Sequence, residues 1–247
     1  VFMNALEVKN LSVAYDEKIV LQNVNVSVPS GKLTAIIGPN GAGKSTFLKA
    51  ILNQLPNKKG SVSIAEKRFS PKELIVGYVP QRNAVDWDFP TNALDVVLMG
   101  RYGHRGLFRR IKNEDRQIAL TALKSVGMDK FADRSIGKLS GGQQQRVFLA
   151  RALAQQADIY FLDEPFAGVD ATTEKTIIRI LKDLKANGKS IFVVHHDLQT
   201  VTDYFDWTIL LNKTILSSGP TKESFTSKNL QKAYGGVLSM LDQLVGE

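Results

Sequence analysis

Over residues 6–28 apolar and polar positions tend to alternate, most clearly where Val24, Val26 and Val28 are separated by Asn25 and Ser27. A period of two is that of a half-buried antiparallel strand, and Asp16-Glu17-Lys18 supplies a polar turn, so a hairpin is predicted there. Residues 33–37 are instead a continuous apolar run, broken by Gly38-Pro39-Asn40-Gly41 and followed by a helical pattern over residues 45–54. A buried strand, a tight loop and a helix are predicted in that order. Residues 158–162 and 190–194 repeat the buried-strand pattern, with Ile177, Leu181 and Leu184 at helical spacing between them. Strands alternating with helices imply a mostly parallel sheet with helices on its faces, and the early alternating strands imply an added antiparallel edge. The predicted class is α/β.

Residues 92–138 interrupt this order, with no convincing strand and two helical patterns, at residues 93–99 and 115–126. They read as a helical insertion in a single domain. The expected division is a core of residues 3–91 and 139–219, a helical subdomain of 92–138, and a helical tail of 220–247 that opens on Pro220-Thr221.

Composition narrows the chemistry. A chain of 247 residues with 43% hydrophobic and 23% charged positions can build a sizeable core without covalent staples. The absence of cysteine excludes disulfides and thiol catalysis and fits a reducing compartment; with His104, His195 and His196 as its only histidines, the chain has no usual structural zinc ligand set. The longest apolar stretches fall far short of the ~18 residues a bilayer span needs. No basic-then-apolar leader opens the sequence, and Glu7 falls where a signal peptide would be apolar, so a cytoplasmic location is expected. The net charge of +8 suits an anionic partner, although surplus lysine on a solvated face explains it as well.

The candidate chemistry centres on Gly38-Pro39-Asn40-Gly41-Ala42-Gly43-Lys44-Ser45-Thr46, a phosphate-loop spacing between a buried strand and a helix. Composition alone yields that spacing in roughly one per cent of chains this long. Its glycines let backbone N–H groups turn toward phosphate oxygens, the helix start adds positive charge, Lys44 is expected to reach the β- and γ-phosphates, and Ser45 to coordinate Mg²⁺. Such a loop needs a carboxylate at a neighbouring strand end. Asp163 is the metal-side candidate, and Glu164 the candidate for polarising the attacking water as general base. His195 and His196 end another buried-strand pattern; adjacent strand residues point opposite ways, so at most one faces a phosphate, and His196 is preferred.

Leu139-Ser140-Gly141-Gly142-Gln143 resembles the signature sequence of ATP-binding cassette ATPases. Ser140 and the Gly141 and Gly142 amides also have the chemistry of a capped helix start. The resemblance extends over nearly the whole chain and implies a P-loop NTPase core with an antiparallel edge and a helical insertion. It matches Tyr15 to an aromatic that stacks on adenine, Gln81 to a glutamine that senses Mg²⁺ and the membrane partner, Asp163 and Glu164 to the metal and base pair, and His196 to a switch histidine. Ala167-Gly168-Val169-Asp170 keeps the aspartate of the family's inter-subunit loop but lacks its serine.

The resemblance further implies a head-to-tail homodimer in which ATP and Mg²⁺ lie between the phosphate loop of one subunit and Ser140, Gly141, Gly142 and Gln143 of the other. The run from Gln81 through Asp86-Trp87-Asp88-Phe89-Pro90, with Met99-Gly100-Arg101-Tyr102-Gly103, is similar to ATPase subunits of manganese, zinc and iron importers and leans toward manganese. A membrane permease is then expected to dock near residues 81–89 on the cytoplasmic face, an extracytoplasmic metal-binding protein to act only indirectly, and no nucleic acid to bind. The alternatives are a zinc, iron or iron-chelate importer, or a cassette acting on nucleic acid or ribosomes.

Overall fold

The structure, a computed structural model, describes residues 4–56, 58–65, 67–68, 76–85, 87, 89–105 and 110–235. In chain order the strands are β1 (Asn4–Tyr15), β2 (Lys18–Pro29), β3 (Leu33–Ile37), β4 (Lys58–Ile64), β5 (Lys67–Arg68), β6 (Val76–Val79), β7 (Ile159–Asp163), β8 (Ser190–Val194), β9 (Trp207–Asn212) and β10 (Thr214–Pro220). The helices are α1 (Lys44–Ile51), α2 (Ala93–Met99), α3 (Tyr102–Arg105), α4 (Asn113–Ser125), α5 (Gly141–Ala154), α6 (Ala171–Ala186), α7 (Val201–Tyr204), α8 (Thr221–Ser224) and α9 (Ser227–Tyr234). Contacts divide the chain into two compact units, Val1–Leu74 with Gly188–Glu247, and Ile75–Asn187.

In the first unit, β1 pairs antiparallel with β2 in a register that sets Leu6 opposite Val28 and Val8 opposite Val26. All four of those side chains are buried, which is the alternation of the sequence turned into one covered face. The same sheet continues through β4 and β5 in the order β2-β1-β4-β5. β3 lies between β8 and β9, parallel to both, and β10 pairs antiparallel with β9. A strand flanked on both edges and covered on both faces has no solvent side, and all five residues of β3 are buried. The helix after the loop runs over Lys44–Ile51 and not residues 45–54; Asn53 takes left-handed backbone, φ 57, just beyond its end.

In the second unit β6 and β7 pair in parallel, and Gly77 makes room for the Tyr160 ring, which a Cβ would strike. Strand β7 begins one residue later than its apolar pattern suggests and ends on the buried Asp163. Helices α2 and α4 pack on α5. The pattern at residues 115–126 becomes α4 starting at Asn113, because the Asp115 carboxylate accepts from the Lys112 N–H at 3.0 Å and closes the first turn. The other Asp115 oxygen accepts from Arg101 Nε at 3.1 Å, a buried ion pair. Arg101 also donates to the Ala154 carbonyl at 2.7 Å and Gln156 Oε1 at 2.9 Å, so one guanidinium joins the start of α4 to the end of α5. Among the described residues of 92–138 the β content is a single bridge, Asn92 with Ser135.

Candidate functional site

The phosphate loop follows the last residue of β3 and ends inside α1. Gly43 takes φ 95, and a Cβ there would press on Leu21 Cδ2 at 2.8 Å and the Val20 carbonyl at 3.1 Å, so glycine is required twice over. Ala42 N–H donates to the Pro39 carbonyl at 3.1 Å and closes the loop, and Phe47 N–H donates to the Gly43 carbonyl at 2.7 Å as α1 begins. Lys44 is 7% exposed, and its ammonium donates to the carbonyls of Gly38 at 2.7 Å and Pro39 at 2.9 Å. The cation is therefore held inside the loop by the loop's own backbone. Asn40 and Gly41 are exposed at its crest, and Ser45 and Thr46 are half-buried on the first turn of α1.

In the same unit Tyr15 ends β1 with 46% of its surface exposed, at the hairpin tip. His195 and His196 follow β8 and go opposite ways: His195 is buried and His196 exposed. The His195 ring lies 5.1 Å from that of Phe205, and Nε2 is 2.8 Å from Thr200 Oγ1. The same Thr200 hydroxyl lies 3.2 Å from the Asp197 carbonyl, so one side chain ties the ring to the backbone of the turn. Burial lowers the His195 pKa to about 4, against the opposing pull of Asp197. A neutral, fixed imidazole thus underlies the turn that carries His196.

The second unit holds the carboxylates. Asp163 is 2% exposed at the end of β7. Its charge adds to burial in pushing the Tyr78 phenol up to about 12, with Arg151 opposing. Glu164 follows at φ 55, left-handed backbone that a non-glycine residue adopts at a cost of ~1–2 kcal/mol. The Gln81 amide donates to Glu164 Oε2 at 2.7 Å.

Ser140 caps α5: its hydroxyl accepts from Gln143 N–H at 3.3 Å, and Gln143 Oε1 accepts from Ser140 N–H at 2.9 Å. Gly141 lies under the Arg82 guanidinium, which donates through Nε and Nη2 to Gln144 Oε1 at 3.3 and 3.2 Å. Gly142 lies in the same first turn. Asp170 caps α6, accepting from the Thr173 N–H at 2.8 Å and the Thr173 hydroxyl at 3.0 Å, and those bonds lower its pKa. Arg82 was not marked by any spacing in the sequence; its place next to Gln81 is the one signal that points to it.

A groove of about 310 Å³ opens beside these residues, lined by Val85, Trp87, Phe89, Met99, Phe148 and Arg151 among others. Trp87 packs edge-on against Phe148 with centroids 5.0 Å apart and donates its indole N–H to the Arg82 carbonyl at 3.0 Å. Arg151 stacks 4.4 Å above the Phe148 ring. Phe89 and Met99 leave 55% and 39% of their surface exposed, so the groove is apolar and open. Asp86 and Asp88 of the same run lie outside the described residues, as do residues 236–247 of the expected tail.

No group of three or more histidine, aspartate or glutamate side chains converges as a metal site among the described residues. Ser45, half-buried on the first turn of α1, and Asp163, buried at the end of β7, each offer a hard oxygen of the kind Mg²⁺ prefers.

Residues 21–167 match the ABC transporter family. The manganese transport system ATP-binding protein MntB of Bacillus subtilis is 57% identical over 99% of this chain and 98% of its own length. The zinc transport system ATP-binding protein TroB of Treponema pallidum is 54% identical over 95% of this chain and 88% of its own. A solved dimeric ATP-binding cassette in a post-hydrolysis state, bound to ADP and phosphate, superposes with a TM-score of 0.74 at 31% identity, covering 87% of this chain and 98% of that one. The chain belongs to the ABC transporter family, as an ATP-binding cassette.

Proposed function

We propose that this cassette hydrolyses ATP to drive import of a divalent transition metal, manganese, through a membrane permease. The observation that carries the reading is end-to-end similarity to a manganese transport ATP-binding protein at 57% identity, in a chain whose Lys44 is already gathered into its phosphate loop. Zinc is the second reading, favoured by the 54% identical zinc-system relative.

In this reading Tyr15 stacks on adenine, residues 38–46 hold the phosphates, and Lys44 turns from the Gly38 and Pro39 carbonyls to the β- and γ-phosphates. Ser45, Asp163 and Gln81 would hold Mg²⁺, which neutralises developing charge on the transferred phosphoryl group. Glu164, steered by Gln81, takes a proton from water as the water attacks the γ-phosphorus; the bond to the β-phosphate oxygen breaks, and ADP and phosphate leave. His196 donates to the γ-phosphate. A second copy completes each site with Ser140, Gly141, Gly142 and Gln143, and Asp170 lies in the loop between subunits; the dimeric relative with ADP and phosphate supports that assembly.

The apolar groove with Trp87, Phe89 and Met99 receives a helix of the permease, and an extracytoplasmic metal-binding protein acts only through that permease. Residues 92–138 form a helical subdomain on a core of 3–91 and 139–219, with residues 220–247 as a tail. Among the described residues no helix is long and apolar enough to cross a membrane. In this reading the cassette sits peripherally on the cytoplasmic face, bound through the permease.

The test is the manganese, zinc and iron content of source cells carrying Lys44→Ala, with redundant uptake removed, in metal-poor medium. A selective fall in manganese is expected. A selective fall in zinc or iron would change the ion, and unchanged metals would overturn the importer.

A further inference from the structure

Gln81 and Arg82 are neighbours in the chain and reach in two directions. The Gln81 amide donates to Glu164 Oε2 at 2.7 Å. The Arg82 guanidinium turns instead to the start of α5, where Nε and Nη2 both donate to Gln144 Oε1, at 3.3 and 3.2 Å. Gln144 is 4% exposed, and its Nε2 donates to the Ile136 carbonyl at 3.2 Å, which fixes the amide with its oxygen toward the fork. The backbone between the two side chains is held as well. Ala84 N–H donates to the Gln81 carbonyl at 3.0 Å, while Val85 N–H and the Trp87 indole donate to the Arg82 carbonyl at 3.3 and 3.0 Å.

The two glycines in the first turn of α5 face different partners. A Cβ on Gly141 would lie 2.9 Å from Arg82 Cζ and Nη1, so glycine lets the guanidinium rest on the turn. A Cβ on Gly142 would meet Thr173 Oγ1 at 3.6 Å and Asp170 Oδ2 at 3.9 Å, ordinary contact with the cap of α6. The helix start is thus held by Arg82 on one side and by the α6 cap on another. A cation beside a helix N-terminus is ordinarily disfavoured, because it meets the positive end of the helix dipole, whereas an anion is favoured there. The fork onto Gln144 keeps the guanidinium in place against that repulsion, and an anion arriving at the turn relieves it. Backbone N–H groups bind phosphate well only when their directions are set beforehand, since ordering them on binding costs affinity.

We propose that Arg82 is a positioning residue of the site shared between two copies, fixing the turn of residues 140–143 against the Gln81 and Glu164 pair so that its amides meet the γ-phosphate held by the partner chain. The inference rests on the reading of the chain as an ATP-hydrolysing cassette that closes with a second copy. Arg82 acts in it through α5, so its loss is felt in closure and turnover and not in the binding of nucleotide to a single chain.

The experiment is sedimentation velocity of the full chain carrying Glu164→Gln, which leaves ATP unhydrolysed, with ATP and Mg²⁺, alongside ATP binding at dilutions where the chain is monomeric. Arg82→Met in that background keeps an apolar stem and removes the fork. Its dimer dissociation constant is expected to rise about ten-fold, the effect of a lost hydrogen bond from a charged donor, with ATP affinity of the single chain unchanged. With Glu164 restored, kcat of Arg82→Met is expected to fall by a similar factor and KM for ATP to change little. Gln144→Met removes the acceptor, is expected to act alike, and serves if Arg82→Met does not fold; the two together are expected to cost no more than either alone. Arg116→Met, at an exposed arginine of α4, is the unchanged control. An Arg82→Met chain with the parent's dimer constant and kcat would overturn the proposal and leave the reading standing. So would one whose single-chain ATP affinity falls as far as its self-association, the mark of a merely structural role. A Glu164→Gln chain that stayed monomeric with ATP and Mg²⁺ would overturn the reading beneath it, and the proposal with it.

Discussion

The Gln81 amide donates to Glu164 Oε2 at 2.7 Å, and Glu164 holds left-handed backbone at φ 55. A glutamate has no conformational reason to occupy that region; strain of this kind persists where surrounding contacts over-determine it, and it collects at functional sites. The strained backbone and the short bond together fix the carboxylate in direction. Glu164→Gln keeps the shape and removes the base, so ATP binding is expected to survive while single-turnover phosphate release falls about 100-fold or more. Gln81→Ala keeps the base and removes its guide, and a smaller loss in kcat, about ten-fold, is expected. Equal turnover in wild type and both variants would remove the roles given to this pair.

Lys44→Ala is expected to act on binding. Hydrogen bonds from a charged donor are worth about 1.5–3 kcal/mol each, so loss of the ammonium from the phosphates corresponds to about ten- to a hundred-fold in the dissociation constant for ATP. The substitution also strips the Gly38 and Pro39 carbonyls of their donor, so the loop relaxes even before nucleotide arrives. Isothermal titration with ADP and ATP measures the effect; unchanged affinity for both would refute it.

Where a contact is local or periodic, the sequence shows it. The valines of β2, the closed run of β3 and the glycines of the loop are each readable from spacing, because their partners are the next strand or the loop's own amides. The Ser140 cap was also legible, and the structure adds that Gln143 spends its side chain and N–H on that cap. Arg82 was not legible: it meets Gln144, 62 positions away, and no local pattern encodes such a pairing. The α4 boundary was missed because Asp115 looks like an exposed acid on a helix face, whereas it is wholly buried and closes the turn.

That buried carboxylate leads to a stability prediction. Asp115 is fully buried and Arg101 nearly so, at side-chain exposures of 0% and 7%. Removing one partner of a buried pair leaves an uncompensated charge, and Asp115→Ala is expected to cost about 3–5 kcal/mol in urea unfolding. Arg101 would retain the Ala154 and Gln156 acceptors, which moderates the loss but leaves its charge unbalanced. Replacing both residues, Arg101→Met with Asp115→Leu, is expected to recover much of the stability, because two apolar groups need no partners. A single Asp115→Ala chain as stable as wild type would show that water reaches the pair.

The acid limb of stability is expected to depend on His195. Burial holds its imidazole neutral with a pKa lowered to about 4, whereas the unfolded chain titrates near 6.5. Between those values the unfolded state binds more protons than the folded one, so stability rises with pH through the window and is lost as pH falls through it. The contribution is fully present above about pH 6.5, and its loss by pH 4 amounts to about 3 kcal/mol. Below that the folded chain must admit a buried imidazolium beside Phe205, with only the pull of Asp197 to offset the desolvation. His195→Gln keeps an amide donor toward Thr200 and cannot titrate. Urea unfolding of this variant is expected to show a shallower fall between pH 6.5 and 4 than wild type, with the exposed His196→Gln keeping the wild-type slope. If the two variants lose the same slope, or neither does, the buried imidazole is not the group that sets the acid limb.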